Sequence, residues 1–526
     1  MRRSLIVAVL IAGACSRPGQ APPPAARRLF GGEARLTGLG PSSCSHQSPP
    51  SGEGDRWCAF FAPQADGTNA LWVVDVSLAL RQGAPACDGS SAGCLKLTST
   101  LWTEFPLQGP VHPYSHKFWG DTLIFYADAV SGPGQPHRGP VYAWRPGWPR
   151  ARRIAPASAV DCAGHERLPL VQCRADMTGD PAAPDVIDLR AGLLPSEEGA
   201  ELPSVARIHP SGNLGAPSWQ AAFSPAGDTF VVSSPEPDPS VESIRVVSTD
   251  LIGHVSPREI VRDAASWEVS HDGRRIYFYR AEAPSRALYV ADFPSGEHVA
   301  KVDANVNDFL LFGGEQQDEA LAYIIKGDEG GVFKLQRDPG NRPAPVTVFT
   351  YKDGVESVAL SPDLRFTAWT DSHFHGRVVR HSDLSVCDLN GGRAVFEPVF
   401  MRSAGLLFWN EPAAEDPGRQ DGYLSDPDGC GPKQLYGRAM NFTTPVGDQG
   451  VVLGDTFDAA TGRIALKYAV TRGGRSWPQD GAQPVFTQVD DLSVVVVAGP
   501  PTLVLFRVAG GAPESQGTYV YGPLPF

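Results

Sequence analysis

A short turn recurs along this chain at intervals of about 45 residues, and a period of that length restricts the fold to a series of like units packed on one another. The best-formed copy is Ser270-His271-Asp272-Gly273. It follows Trp267-Glu268-Val269 and precedes Arg274-Arg275-Ile276-Tyr277-Phe278-Tyr279. A polar loop then leads to Ala287-Leu288-Tyr289-Val290-Ala291-Asp292. Asp hydrogen-bonds its own backbone in such a turn, and Gly accepts positive φ without steric cost. The flanking residues alternate or run apolar, as half-buried and fully buried strands do. Trp267 to Asp292 therefore predicts strand, turn, strand, loop, strand.

Ser224-Pro225-Ala226-Gly227 stands 46 residues upstream of this copy, and Ser361-Pro362-Asp363-Leu364 stands 91 residues downstream. The second gap is two periods, which predicts a degenerate copy between them: a strand from Phe309 to Phe312, a turn from Gly313 to Glu319 and a strand from Leu321 to Ile325. Leu364 occupies the place where the pattern wants Gly. If that site is left-handed, Leu costs roughly 1–2 kcal/mol there.

A Ser-Pro-Asp-Gly-like turn, then an apolar strand, then a strand like Leu288-Tyr289-Val290-Ala291-Asp292 resembles the TolB-type propeller repeat, which is related to the WD-type blade. The resemblance is clearest over residues 217–390. It implies a β-propeller, with four-stranded blades arranged around a channel. Further strand pairs begin at Trp57, Thr122 and Leu168, then at Leu406, Gly450 and Ser493, ten units in all with the four central ones. A Cys-containing excursion over 77–115 separates the first two. The expectation is an all-β chain with a single propeller over 36–526, of about eight blades. Seven to ten are admitted, because some units can be insertions and a terminal strand can complete a blade. The 56 Gly and 49 Pro suit many short strands joined by turns.

The first residues read as a targeting segment. Arg2 and Arg3 precede the apolar run Leu5 to Ile11, then Ala12-Gly13-Ala14-Cys15. That run is shorter than the roughly 20 residues a spanning helix needs. Ala12-Gly13-Ala14 is compatible with ordinary signal cleavage. The short apolar core with Cys at the cut resembles a bacterial lipoprotein signal, which implies a signal peptide over 1–14 and lipid on Cys15. Ser16 rather than Asp after that Cys implies the outer membrane. Residues 15–35 then form an acylated, Pro/Ala-rich tether of extended chain. The lipid is the only membrane contact expected, with the propeller facing the periplasm or the cell surface.

Nine Cys leave eight once Cys15 is set aside. They fall as close pairs: Cys44 and Cys58, Cys87 and Cys94, Cys162 and Cys173, and more distantly Cys387 and Cys430. An exported compartment favours bridges, and neighbour pairing is the expectation; several buried thiols are the alternative. None of these spacings is the Cys-x2-Cys of a zinc site. With 58 Asp plus Glu against 45 Lys plus Arg, and no basic run interleaved with aromatics, nucleic acid is not an expected partner.

Candidate chemistry is sparse. Asp371-Ser372-His373-Phe374-His375, with His381 nearby, is the one dense histidine cluster. On an extended segment Asp371, His373 and His375 share a face, and neutral imidazoles with a carboxylate suit a divalent metal such as Zn or Mn. The bland reading is a polar loop. Asp426-Pro427-Asp428-Gly429 invites a calcium reading, but position twelve of that loop is Gly437 rather than Glu, so a turn is expected. Pro235 to Pro239 is an acidic, solvated loop. No Gly-x-Ser-x-Gly elbow, P-loop, dinucleotide fingerprint or His-Glu-x-x-His occurs. The reading that follows is a lipid-anchored, non-catalytic scaffold whose loop-rich face binds a protein or glycan of the cell envelope. The alternative is a glycan-acting lyase or hydrolase with a metal or carboxylates in the central funnel.

Overall fold

The computed structural model describes residues 25–524. Its breaks are at 32–34, 37–43, 46–55, 65–68, 83–86, 88–92, 102–115, 129–139, 157–158, 177–186, 198, 209–219, 236–241, 283–284, 315–316, 328–329, 338–343, 353, 392, 402–405, 415, 417, 441, 447–449, 459, 462, 471–482, 491–492, 498–501 and 511. The signal segment, Cys15 and the acidic loop at Glu236 to Pro239 lie outside the described residues.

The repeat folds as a β-propeller of nine antiparallel sheets. Eight are four-stranded meanders. The first runs from Arg35–Leu36 to Cys94–Leu101, the fifth from Ala265–Val269 to Ala300–Asp303. The sixth runs from Val306–Gly314 to Val346–Tyr351, the seventh from Val355–Leu360 to Val386–Asp388, and the eighth from Phe396–Met401 to Gln434–Met440. The ninth sheet has eight strands. It consists of two four-stranded halves whose ladders join at one backbone pair, Val489 with Val508, and whose side chains share one core. The sequence therefore reads ten units where the backbone forms nine sheets.

The double blade also closes the ring. Its last strand in space is the first in sequence: Ala25–Gly31 pairs antiparallel with Gly517–Gly522. Residues 25–31, read above as tether, are thus partly structural. An edge strand tolerates Arg27 and Arg28 because one side of it faces water. Arg28 donates to the carbonyls of Glu514 and Gln516, at 2.8 and 2.5 Å. The described parts of the excursion over 77–115 are likewise part of the fold. It holds the helix Val76–Gln82, capped by Asp75 Oδ1 accepting from the Leu78 N–H at 2.8 Å, and the outer strand Cys94–Leu101. Among the described residues no helix is long and apolar enough to cross a membrane.

The serine of the repeat turn does more than the sequence pattern indicates. Ser270 is fully buried, and its hydroxyl accepts the N–H groups of Arg274 and Arg275 while donating to Asp272 Oδ1 at 2.6 Å. Ser361 repeats the arrangement with Arg365, Phe366 and Asp363. A buried hydroxyl left without partners is costly, so each serine fixes its turn. The fourth position of the turn is left-handed in all three copies: φ is 72° at Gly227, 67° at Gly273 and 53° at Leu364. The cost at Leu364 is offset by burial in the core between the sixth and seventh blades, beside Trp369 and Val348. Burying a Leu side chain contributes about 1.5–3 kcal/mol. The degenerate copy has a tighter turn than the sequence predicts, since its strands Val306–Gly314 and Gln317–Gly327 leave only two residues between them.

The apolar cores lie between blades. Tyr277 and Tyr279 pack with Leu321 and Tyr323 of the next sheet, while Ile276 and Phe278, on the opposite face, pack with Val231 and Ile244 of the preceding one. The cysteines join as neighbours: Cys44–Cys58, Cys87–Cys94, Cys162–Cys173 and Cys387–Cys430. The last links the outer strand of the seventh blade to a turn of the eighth.

Phe278 is completely buried and Arg274 exposed. Phe278→Ala should lower stability by about 3–5 kcal/mol, and Arg274→Ala should stay within about 0.5 kcal/mol. Denaturant melts of the two variants measure the contrast, and equal midpoints would show the strand register to be wrong. The Cys387–Cys430 bridge spans 43 residues. Serine at both positions should cost about 3–4 kcal/mol by the loop-entropy relation, read as a lowered midpoint without reductant.

Candidate functional site

In each meander the turn joining the second and third strands lies at the opposite end from the repeat turn. In the seventh blade that turn is Ser372 to His375, between Phe366–Asp371 and Gly376–Arg380. The segment read as extended is therefore a tight hairpin. Asp371 is 5% exposed, and its Oδ1 accepts the N–H groups of His373 at 3.0 Å and His375 at 2.9 Å. Its Oδ2 stands 3.2 Å from His375 Nδ1 and 3.7 Å from an Arg377 guanidinium nitrogen. The carboxylate is thus occupied in holding the turn. The His373 and His375 rings lie roughly parallel with centroids 6.0 Å apart. Among the described residues no three His, Cys, Asp or Glu side chains converge as metal ligands. The alternation argument failed because it assumed a strand where the chain reverses.

Burial pushes the Asp371 carboxyl upward, but the His375 and His373 N–H groups and the His375 ring more than offset this, leaving it below the ordinary carboxylate value. A lowered folded-state value means stabilisation that is full at neutral pH and fades as pH falls from about 4 through the folded value. Asp371→Ala should cost about 1.5–3 kcal/mol at pH 7. The gap between variant and wild-type midpoints should narrow below about pH 4. A gap of constant size from neutral to acid would refute the capping role.

The tip of this hairpin carries what the sequence did not disclose. Phe374 is left-handed, with φ 62°, and its side chain is 36% exposed. A bulky residue in that conformation is strained. It is held from both sides: its N–H donates to the Asp371 carbonyl at 2.8 Å, and its own carbonyl accepts the Val395 N–H at 2.8 Å. The second bond ties the hairpin to the segment entering the eighth blade. Gly376 permits that approach, since a Cβ there would lie 2.7 Å from the Val395 side chain.

Phe374 thereby stands at the rim of a cleft of about 320 Å³ between the seventh and eighth blades. Phe396 faces it, with ring centroids 5.3 Å apart. The remaining lining is polar: Glu356, Ser357, Thr370, Asn410 and Gln420. Ser357 and Thr370 share a hydrogen bond of 2.7 Å, and Asn410 is 4% exposed. The neighbouring Glu411, 3% exposed, is satisfied by Trp409 Nε1 at 2.9 Å and by Lys433 Nζ at 2.9 Å. Aromatic faces over amide and hydroxyl groups offer stacking and hydrogen bonding together, without a nucleophile–base pair. Asp426 to Gly429 is a plain turn of the eighth blade: the Gly429 N–H donates to the Asp426 carbonyl at 3.0 Å, and Asp428 pairs with Arg380 at 3.1 Å.

No family model matches this chain, and no curated protein matches it in sequence. Several solved structures are similar to it, among them one described as a β-propeller domain. Dipeptidyl peptidase 4 from Porphyromonas gingivalis is 12% identical over 90% of this chain and 65% of its own, with a TM-score of 0.41. The propeller domain of the Trilobed protease from Pyrococcus furiosus is 12% identical over 62% of this chain and 97% of its own, at 0.29. TolB from Acinetobacter baumannii is 12% identical over 58% and 79% respectively, at 0.26. The likeness is one of fold alone.

Proposed function

We propose that this chain is an exported, lipid-anchored propeller of TolB-like type, a non-catalytic scaffold that binds a protein or glycan of the cell envelope through the cleft between its seventh and eighth blades. The observation that carries the reading is Phe374: a strained backbone, held by hydrogen bonds from two blades, presents an aromatic ring to solvent. Strain of this kind persists where the surroundings impose it, and it clusters at binding sites. Aromatic anchors beside buried polar groups are what protein and glycan ligands engage. The anchor reading rests on the apolar run Leu5 to Ile11 followed by Cys15, with the outer membrane as the site of attachment.

Phe374→Gly separates the two roles of the residue. It removes the ring and relieves the left-handed backbone, so the melting midpoint should hold within about 1 kcal/mol. Recovery of the envelope ligand, by crosslinked pull-down from envelope extract or on a glycan array, should fall at least about tenfold. Equal recovery by both proteins would remove the cleft from the proposal. Release of cleaved oligosaccharide by the purified protein would replace the scaffold reading with an enzymatic one. For the anchor, Cys15→Ala should move the protein from the membrane to the soluble fraction, because multiple acyl chains anchor stably. Wild type that is already soluble would refute it.

A further inference from the structure

A second opening lies at the other end of the same strands. The groove between the sixth and seventh blades encloses about 600 Å³. Blades diverge with distance from a propeller axis, so the gap between outer strands must be filled by side chains or remain open. Here the residues at the rim are small: Ala344, Val346 and Ser382 line it. The floor is apolar, with Leu335, Val348 and Phe366 buried to 3%, 4% and 7% exposure. Val346 is 52% exposed, apolar surface that nothing in the chain covers among the described residues.

Its polar lining is one-signed. Arg337, Arg365 and Arg380 line the groove, and among the described residues no carboxylate does. Arg365 is paired with Asp363 at 2.5 Å, and Arg380 with Asp428 and Asp383 at 3.1 and 3.4 Å. Arg337 differs. Its guanidinium donates to the Leu364 carbonyl and lies 2.9 Å from His381 Nδ1, and it meets no carboxylate among the described residues. His381 does not share the charge: burial holds its pKa below the ordinary value. The ring is held in place on both sides, with Nδ1 2.6 Å from the Leu364 carbonyl and Nε2 2.7 Å from the Thr367 hydroxyl. The left-handed Leu364 thus presents a carbonyl that orients both His381 and Arg337. In a chain of net charge −13, a fixed guanidinium that meets no carboxylate among the described residues, beside an apolar floor, is matched by one kind of ligand.

We infer that this groove binds a small amphiphilic carboxylate, its apolar chain lying over Leu335, Val348 and Phe366 and its carboxylate meeting Arg337. The volume falls in the range of small-molecule sites, roughly 300–1,000 Å³. A guanidinium matches a carboxylate with two parallel hydrogen bonds. The site is independent of the Phe374 cleft. Phe366 and Asp371 end the same strand, so the two openings lie about 17 Å apart along it.

Titration calorimetry with decanoate, below its micelle concentration, tests the assignment on the purified full-length chain. Saturable one-to-one binding is expected, with decylamine weaker by at least about tenfold and acetate without measurable heat. Arg337→Gln, at an exposed position, should weaken decanoate at least about tenfold. Ala344→Trp, which fills the groove from its rim, should abolish binding while leaving the melting midpoint unchanged. Absence of saturable decanoate binding to wild type would overturn the inference. So would equal affinity of wild type, Arg337→Gln and Ala344→Trp, which is the behaviour of nonspecific adsorption.

Discussion

The structure depends on strands that are apolar on both faces. Phe366–Asp371 is buried at every position, as are Thr122–Tyr126 and Gly517–Gly522. One sheet covers neither of its own faces, so each blade requires a neighbour on either side. Only a closed ring supplies that to all of them. The cores accordingly lie in the seams between blades. The buried serine turns at Ser224, Ser270 and Ser361 serve this arrangement by fixing where the second strands of the fourth, fifth and seventh blades begin, and hence which residues face which neighbour. A slip of one residue would exchange Ile276 and Phe278 with Tyr277 and Tyr279, and both adjoining seams would have to repack.

The repeat was legible because every unit repeats the same solution: a turn, a strand buried on both faces, and a third strand. Less legible were the places where local chemistry and tertiary setting disagree. Ala25–Gly31 has the composition of a linker and becomes a strand only because a distant edge awaits it. Leu364 sits where Gly is the natural choice, and the seam that buries it is built from residues no local pattern connects. The hairpin after Asp371 was read as extended for a similar reason. Alternation of Asp and His suits a strand, whereas the aspartate caps a reversal. The neighbour pairing of cysteines agreed with the structure because three of the four bridges staple segments close in sequence.

The candidate sites were less legible than the fold. Neither the Phe374 cleft nor the Arg337 groove is a motif. Each is assembled at a seam from two blades, and each uses a left-handed, non-glycine residue. Phe374 displays a ring; Leu364 turns a carbonyl toward a histidine and an arginine. The seams hold the ring together, and at their two ends they open into the clefts available for ligands. A substitution that tightens a seam is therefore expected to change recognition as well as stability.

The pairing of Ala25–Gly31 with Gly517–Gly522 has a consequence for how the molecule is made. These partners are separated by nearly the whole chain, with Ala25 opposite Gly522. Contacts of such sequence separation form late, because the intervening loop entropy is paid before they contribute. The strand synthesised earlier must wait, edge exposed, until Gly517–Gly522 has emerged. During that interval the partly built ring presents unpaired edges that invite association with other chains. Arg27 and Arg28, at the centre of the waiting strand, place two positive charges on that edge, so that neighbouring copies repel one another until the native partner arrives.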